Sequence, residues 1–224
     1  MRPFILLPLI LTACAAAGPR SDDAILAIGD SVMAWNGARG IPEALEAAID
    51  RPVTDASQSL AQLTNPNDLA GLAGFDISEQ FRGDGWDWVV ITGGGNDIRD
   101  ACRTPAEAQV LDTIISPDLD GDLPDLIARI RATGANAAFV GYYDGAAAEP
   151  TGFTPCQPAF DRMNARLARL AARDPGFLFL DAGDVIDPRD TGLYAPDLVH
   201  PSPRGSALIG TALARAIRAV EAGG

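Results

Sequence analysis

Three short clusters in this chain hold the residue types that acyl transfer needs. Ser31 closes the string Gly29-Asp30-Ser31. A serine hydroxyl is a weak nucleophile until a base takes its proton. At the start of a loop or helix it also has backbone N–H groups nearby for a developing oxyanion. The chain has 1 histidine, so any imidazole base must be His200. Asp197 precedes it by three positions in Asp197-Leu198-Val199-His200-Pro201. A carboxylate at that spacing can reach Nδ1–H, fix the tautomer and leave Nε2 free as a base. The third cluster is Gly94-Gly95-Asn96-Asp97. Its glycines let backbone approach a ligand closely, and the asparagine amide donates N–H while staying neutral at every pH. Each cluster also has a plain structural reading: an N-capping serine, a glycine-rich turn, and a surface or core histidine.

The segments around these clusters predict the frame that positions them. Residues 24–28 form a compact apolar run, residues 86–92 carry the strongest strand pattern, and residues 137–143 and 177–180 add two more. Unbroken apolar runs of this length read as parallel strands buried on both faces. A further short strand is expected at 52–54. Helical patterns cover 42–49, with proline in the first turn, then 104–115, 123–132, 158–173 and 203–222. In the helix at 158–173, Phe160, Met163, Leu167 and Leu170 recur at helical spacing. Residues 55–85 carry scattered apolar side chains and yield no clear element. Five strands alternating with helices predict one doubly wound parallel sheet, whose ligand site lies beyond the carboxyl ends of the strands. Gly29-Asp30-Ser31 and Asn96-Asp97 fall at such ends.

The three clusters, in this order and on these elements, resemble the SGNH hydrolase superfamily, also called GDSL lipases and esterases. The resemblance runs from Ala24 to Ala219. It implies an α/β fold: a flavodoxin-like three-layer α/β/α sandwich around a five-stranded parallel sheet. It implies Ser31 as nucleophile, His200 as general base and acid, and Asp197 as the residue that orients it. The oxyanion would be held by the Ser31 backbone N–H, the Asn96 side chain and a backbone N–H beyond the second strand, with Gly94 and Gly95 bringing backbone against the ligand. At that third donor the sequence departs from the family, placing Leu60 where a glycine is usual. Leucine disfavours positive φ, so its N–H would be misaligned or its side chain would cover the rim, unless Ser57 or Ser59 supplies the donor instead. Met33, Trp35, Tyr142 and Tyr143 are candidates for an acyl or sugar pocket, and equally for ordinary packing.

The activity so implied is that of a serine esterase working through an acyl-enzyme, on a small-molecule or polysaccharide ester, with no cofactor and no metal. An O-deacetylase of polysaccharide or peptidoglycan falls within the same chemistry. The competing reading, from another class, is a non-catalytic envelope lipoprotein that keeps the fold and binds carbohydrate or peptide.

The first residues read as an address. Residues 1–13 have a positive start and a short apolar run, the anatomy of a secretory signal peptide. The small residues before Cys14 also resemble the bacterial lipobox, which implies lipidation at Cys14, a tether over 14–23, and a single hydrolase domain over 24–224 on the periplasmic side of the envelope. With Cys14 assigned to lipid, Cys102 and Cys156 remain. In an oxidising compartment they form a disulfide or stay as two free thiols, and the disulfide reading closes a loop worth about 3–4 kcal/mol. The formal charge of −13 removes nucleic acid and anionic lipid as partners, since both require a basic patch. Membrane attachment would come through the lipid anchor alone, and the protein is expected to act as a monomer.

Overall fold

The computed structural model describes residues 24–65 and 68–223. The apolar runs form strands as their patterns predict: β1 (Ile25–Ile28), β2 (Val53–Asp55), β3 (Trp88–Ile91), β4 (Asn136–Val140) and β5 (Phe177–Leu180). All pair in parallel, in the order β2-β1-β3-β4-β5. Every residue of β1 and β3 is buried, as expected for central strands covered on both faces. The chain steps from β1 to β2 on one side and then crosses back, so that β3 lies on the other side of β1. That reversal opens a crevice beyond the ends of β1 and β3. The register pairs Ile28 with Ile91, so Gly29 and Thr92 leave the sheet at the same level.

The helices are α1 (Ser31–Ala34), α2 (Ile41–Ile49), α3 (Asp68–Leu72), α4 (Ile77–Gln80), α5 (Gly95–Ile98), α6 (Glu107–Ile114), α7 (Asp122–Arg131), α8 (Gln157–Ala171) and α9 (Pro203–Gly223). In α2, Pro42 stands in the first turn and the Glu43 carboxylate accepts the Gly40 N–H at 3.1 Å, satisfying a donor the helix leaves free. Its buried face, Ile41, Leu45 and Ile49, packs on α9. On the other side of the sheet α7 covers β4 and α8 covers β5. The result is the three-layer α/β/α sandwich.

The structure differs from the sequence reading mainly at boundaries. The strand expected at 137–143 ends at Val140, whose ladder partner Leu180 is the last residue of β5. Tyr142 and Tyr143 are therefore released from the sheet and face the crevice. The stretch 55–85, which yields no element from pattern alone, contains the single-turn helices α3 and α4. The second is nucleated by Asp76, whose side chain accepts the Glu79 N–H. Cys102 and Cys156 are joined, with Cα atoms 5.0 Å apart, within the normal span of a disulfide. Among the described residues no helix is long and apolar enough to cross a membrane. The expectations for the signal segment, Cys14 and the tether lie outside the described residues.

Candidate active site

The end of β1 is built around a glycine. Gly29 has φ +151°, and a Cβ there would lie 2.2 Å from Thr92 Oγ1, so no other residue fits. Its peptide groups are both taken by the Gln80 side chain: the Gly29 N–H donates to Oε1 at 2.6 Å, and Nε2 donates to the Gly29 carbonyl at 3.0 Å. Asp30 then caps α1, accepting the Val32 N–H at 3.1 Å and the Thr92 hydroxyl at 3.0 Å on Oδ1. Its other oxygen accepts from the Tyr142 hydroxyl, which itself accepts the Gly95 N–H at 2.8 Å. Burial pushes the Asp30 carboxyl above the usual carboxylate range, and these hydrogen bonds work against that shift. Tyr142 thus ties the turn carrying Ser31 to the turn carrying Asn96. A side chain on Gly95 would begin 2.6 Å from the Tyr142 oxygen, so this contact too requires glycine.

Ser31 is the first residue of α1, and its Oγ lies 2.7 Å from His200 Nε2. The imidazole Nδ1 lies 2.5 Å from Asp197 Oδ2. The remaining Asp197 oxygen accepts the N–H groups of Val199 and His200, each at 3.0 Å, and Leu198 between them turns the chain with φ +61°. Partial burial alone would raise the Asp197 carboxyl, but the bonds from the His200 ring and the two N–H groups outweigh it and hold the group below its ordinary value. Asp197 therefore stays a carboxylate facing Nδ1. Trp35 stacks on the imidazole with ring centroids 3.9 Å apart and planes 9° from parallel, covering one face. Asn36 donates to the Pro201 carbonyl at 2.9 Å, anchoring the histidine loop to the end of α1.

Asn96 shares the cavity lining with Ser31, and the backbone N–H groups of Ser31 and Leu60 are the other donors the sequence singles out. Asn96 gives one amide hydrogen to the Ala61 carbonyl at 2.9 Å, which leaves the second free. The N–H groups of Ser31 and Leu60 donate to no other described residue. Ser57 is not an equivalent donor, because its N–H is bound to Asp55 Oδ1 at 2.8 Å, whereas the Ser59 N–H, like that of Leu60, donates to no other described residue. Leu60 itself has φ +71°, the left-handed backbone a glycine would adopt, and its side chain is 63% exposed. The leucine thus takes the conformation its type disfavours, at a cost of about 1–2 kcal/mol, and it does not line the cavity behind Ser31.

Behind Asn96, Asp97 accepts the Leu63 N–H at 3.1 and 3.2 Å on its two oxygens, fixing the loop that carries Leu60. Burial pushes its pKa up to about 7. Between the unfolded value of about 3.9 and 7, the folded chain keeps a proton that the unfolded chain has lost, so stability falls as pH rises through that window. Asp30, Asp144 and Asp181 are raised as well and act with the same sign. Asp97→Asn keeps an acceptor for Leu63 and removes the titration. We expect its free energy of unfolding to decline less than that of wild type between pH 5 and pH 8, by on the order of 2 kcal/mol. Equal declines would show that Asp97 does not titrate there.

The cavity opens at Ser31, Asn96 and His200 and is walled by Tyr142, Tyr143, Phe153 and Phe160. It leaves about 30 Å³ for the centres of water-sized molecules, where one water needs roughly 10–15 Å³. Of the candidate pocket residues, Tyr142 and Tyr143 line it, Trp35 covers the imidazole, and Met33 is core at 1% exposure. Gly95 lines the cavity, while Gly94, with φ +100°, packs toward Met163 and serves the turn. Gln80, Thr92 and the hydroxyl of Tyr142 are the site residues that sequence reasoning missed. Among the described residues no group of three or more His, Cys, Asp or Glu could hold a metal ion.

The GDSL-like lipase/acylhydrolase family model matches residues 27–208. Solved structures with the same fold include the lipase Lip_vut3 from a goat rumen metagenome, at 21% identity and TM-score 0.59, covering 88% of this chain and 96% of that one. The acetylxylan esterase Axe2 from Geobacillus stearothermophilus aligns at 22% identity and TM-score 0.58, covering 89% and 94%. TesA aligns at 20% identity and TM-score 0.56, covering 88% and 99%. No curated protein gives a significant match.

Proposed function

Since the chain belongs to the GDSL-like lipase/acylhydrolase family and is an ester-hydrolysing enzyme, we propose that it works as a serine esterase through Ser31, His200 and Asp197. The observation that carries this reading is the continuous hydrogen-bonded line from Asp197 through His200 to Ser31, at 2.5 and 2.7 Å. His200 Nε2 takes the Ser31 proton as Oγ attacks the ester carbonyl. The tetrahedral oxyanion is met by the N–H groups of Ser31 and Leu60 and by Asn96 Nδ2. The imidazolium, paired with Asp197, returns its proton to the departing alcohol, and water activated by the same imidazole releases the acid.

The narrow apolar cavity favours a short acyl group, of acetyl size. An O-deacetylase of polysaccharide is the form of the reading this favours, and one solved neighbour is named an acetylxylan esterase. Residues 1–23 support export, with Cys14 as the lipidated residue and 24–224 as the hydrolase domain. The test is covalent. A fluorophosphonate should add one phosphonyl group, found by peptide mass spectrometry on Ser31, with loss of p-nitrophenyl acetate hydrolysis in step with labelling. Hydrolysis that survives full labelling, or a label on another residue, would overturn the assignment.

A further inference from the structure

Two openings meet at His200. One is the narrow cavity behind Ser31. The other is a groove of about 460 Å³ walled by Glu149, Pro150, Thr151 and Pro196. The residues common to both are Phe153, Val199 and His200. His200 is committed to Ser31, and the Val199 carbonyl is fixed by the Tyr143 hydroxyl at 3.1 Å. That leaves the Phe153 ring as the bulky element between the two spaces.

We propose that Phe153 is the partition that sets acyl-chain length, closing the cavity against the groove. The proposal rests on the reading of Ser31 as the residue that takes up the acyl group. The ring is held in place from several directions. It packs on Phe160 at 6.2 Å between centroids, and Phe160 stacks on the buried Tyr142 at 4.7 Å, so the three rings form one wall. The Phe153 N–H donates to Thr151 Oγ1 at 3.3 Å, and its carbonyl accepts the Cys156 N–H at 2.9 Å. Cys156 is bonded to Cys102, which follows the helix bearing Asn96, so the wall and the Asn96 turn are linked covalently. The same loop is tied to the histidine turn by the Ala146 N–H, which donates to the Leu198 carbonyl at 2.9 Å.

A wall fixed in this way cannot move aside for a longer chain at small cost. The space is small, about 30 Å³ for the centres of water-sized molecules, so added methylenes meet the ring. A packed apolar site distinguishes single methylenes by roughly 10–200-fold. Removing the ring joins the cavity to the groove, where a longer chain has room.

The experiment measures kcat/KM for p-nitrophenyl acetate, butyrate and hexanoate on wild type, Phe153→Ala and Phe153→Leu, with Ser31→Ala as control. The quantity read is the hexanoate-to-acetate ratio, which does not depend on the fraction of enzyme folded. Wild type should prefer acetate. Phe153→Ala should raise the ratio at least tenfold, with Phe153→Leu between the two. A wild type without acetate preference, or an unmoved ratio in both variants while Ser31→Ala is inactive, overturns the partition alone. Hydrolysis retained by Ser31→Ala overturns the esterase reading beneath it.

Discussion

Replacing His200 by alanine should lower kcat on p-nitrophenyl acetate by about 10³–10⁵-fold. This is the chain's 1 histidine, and among the described residues the Ser31 hydroxyl has no other side-chain base within hydrogen-bond reach. The loss is chemical rather than structural. The imidazole side chain is 15% exposed and its main packing partner is Trp35, a contact worth about 0.5–1.5 kcal/mol. For a chain of this size that is a fall in Tm of about 1–6 °C. Asp197→Asn separates orientation from packing more finely. The amide oxygen can still accept the N–H groups of Val199 and His200, so the turn survives. The amide nitrogen now faces Nδ1 and donates to it, which forces the proton onto Nε2 and removes the base Ser31 needs. We expect a drop in kcat of about 10³–10⁴-fold, with a modestly lower Tm at neutral pH, where the carboxylate's contribution to stability is lost. Because the carboxyl is held below its ordinary value in the folded chain, the stability it contributes is present above the unfolded pKa and is lost as pH falls. The substitution should therefore reduce the loss of stability on acidification. Wild-type turnover in either variant would falsify the triad.

How much of this was legible in the sequence follows from how each group is held. Asp197 and His200 could be paired from their spacing and Ser31 placed at a strand end, but joining Ser31 to His200, 169 positions away, rested on the resemblance of the three clusters to a known family. The strands could be read because β1 and β3 are apolar on both faces, which leaves a continuous run of buried residue types. Gln80 could not, since its role is to clamp Gly29 from 51 positions away, and α4, which carries it, is a single turn without helical periodicity. The Tyr142–Asp30 bond spans 112 positions. Tyr142 stood in a strand pattern, and only the end of the β4–β5 ladder at Val140 releases it toward Asp30. Leu60 is the instructive case. Its residue type opposes positive φ, yet the backbone is set by its neighbours. The Gln58 N–H donates to the Gly29 carbonyl at 3.0 Å, the Ala61 N–H to the Gln58 carbonyl at 3.1 Å, and the Ala61 carbonyl accepts Asn96. A loop pinned on both sides imposes its geometry, and the side chain is turned outward to solvent. Local preference of about 1–2 kcal/mol loses to that set of bonds.

Asn96→Ala should therefore reduce kcat by about 10²–10³-fold, with a much smaller change in KM. One amide hydrogen holds the Ala61 carbonyl, and the other is the one available to the oxyanion. Charge develops on that oxygen in the transition state, so losing the donor weighs on turnover more than on binding. The variant should also lose about 1 kcal/mol of stability, because the Ala61 carbonyl is left without its partner. Leu60 separates backbone from side chain at the same site. Since its backbone is already left-handed, Leu60→Gly relieves about 1–2 kcal/mol of strain while adding about 0.5–1 kcal/mol of unfolded-chain entropy. The net effect is a stability equal to or slightly above wild type, with no fall in kcat. A β-branched residue has the opposite consequence. Leu60→Val resists positive φ more strongly, so it should lower stability and pull the N–H out of line, reducing kcat together with it. Parallel measurement of denaturation midpoints and acetate kinetics for the three variants decides the matter. If Leu60→Val is destabilised but turns over as fast as wild type, the Leu60 N–H is not a donor to the oxyanion, and the hole rests on Ser31 and Asn96 alone.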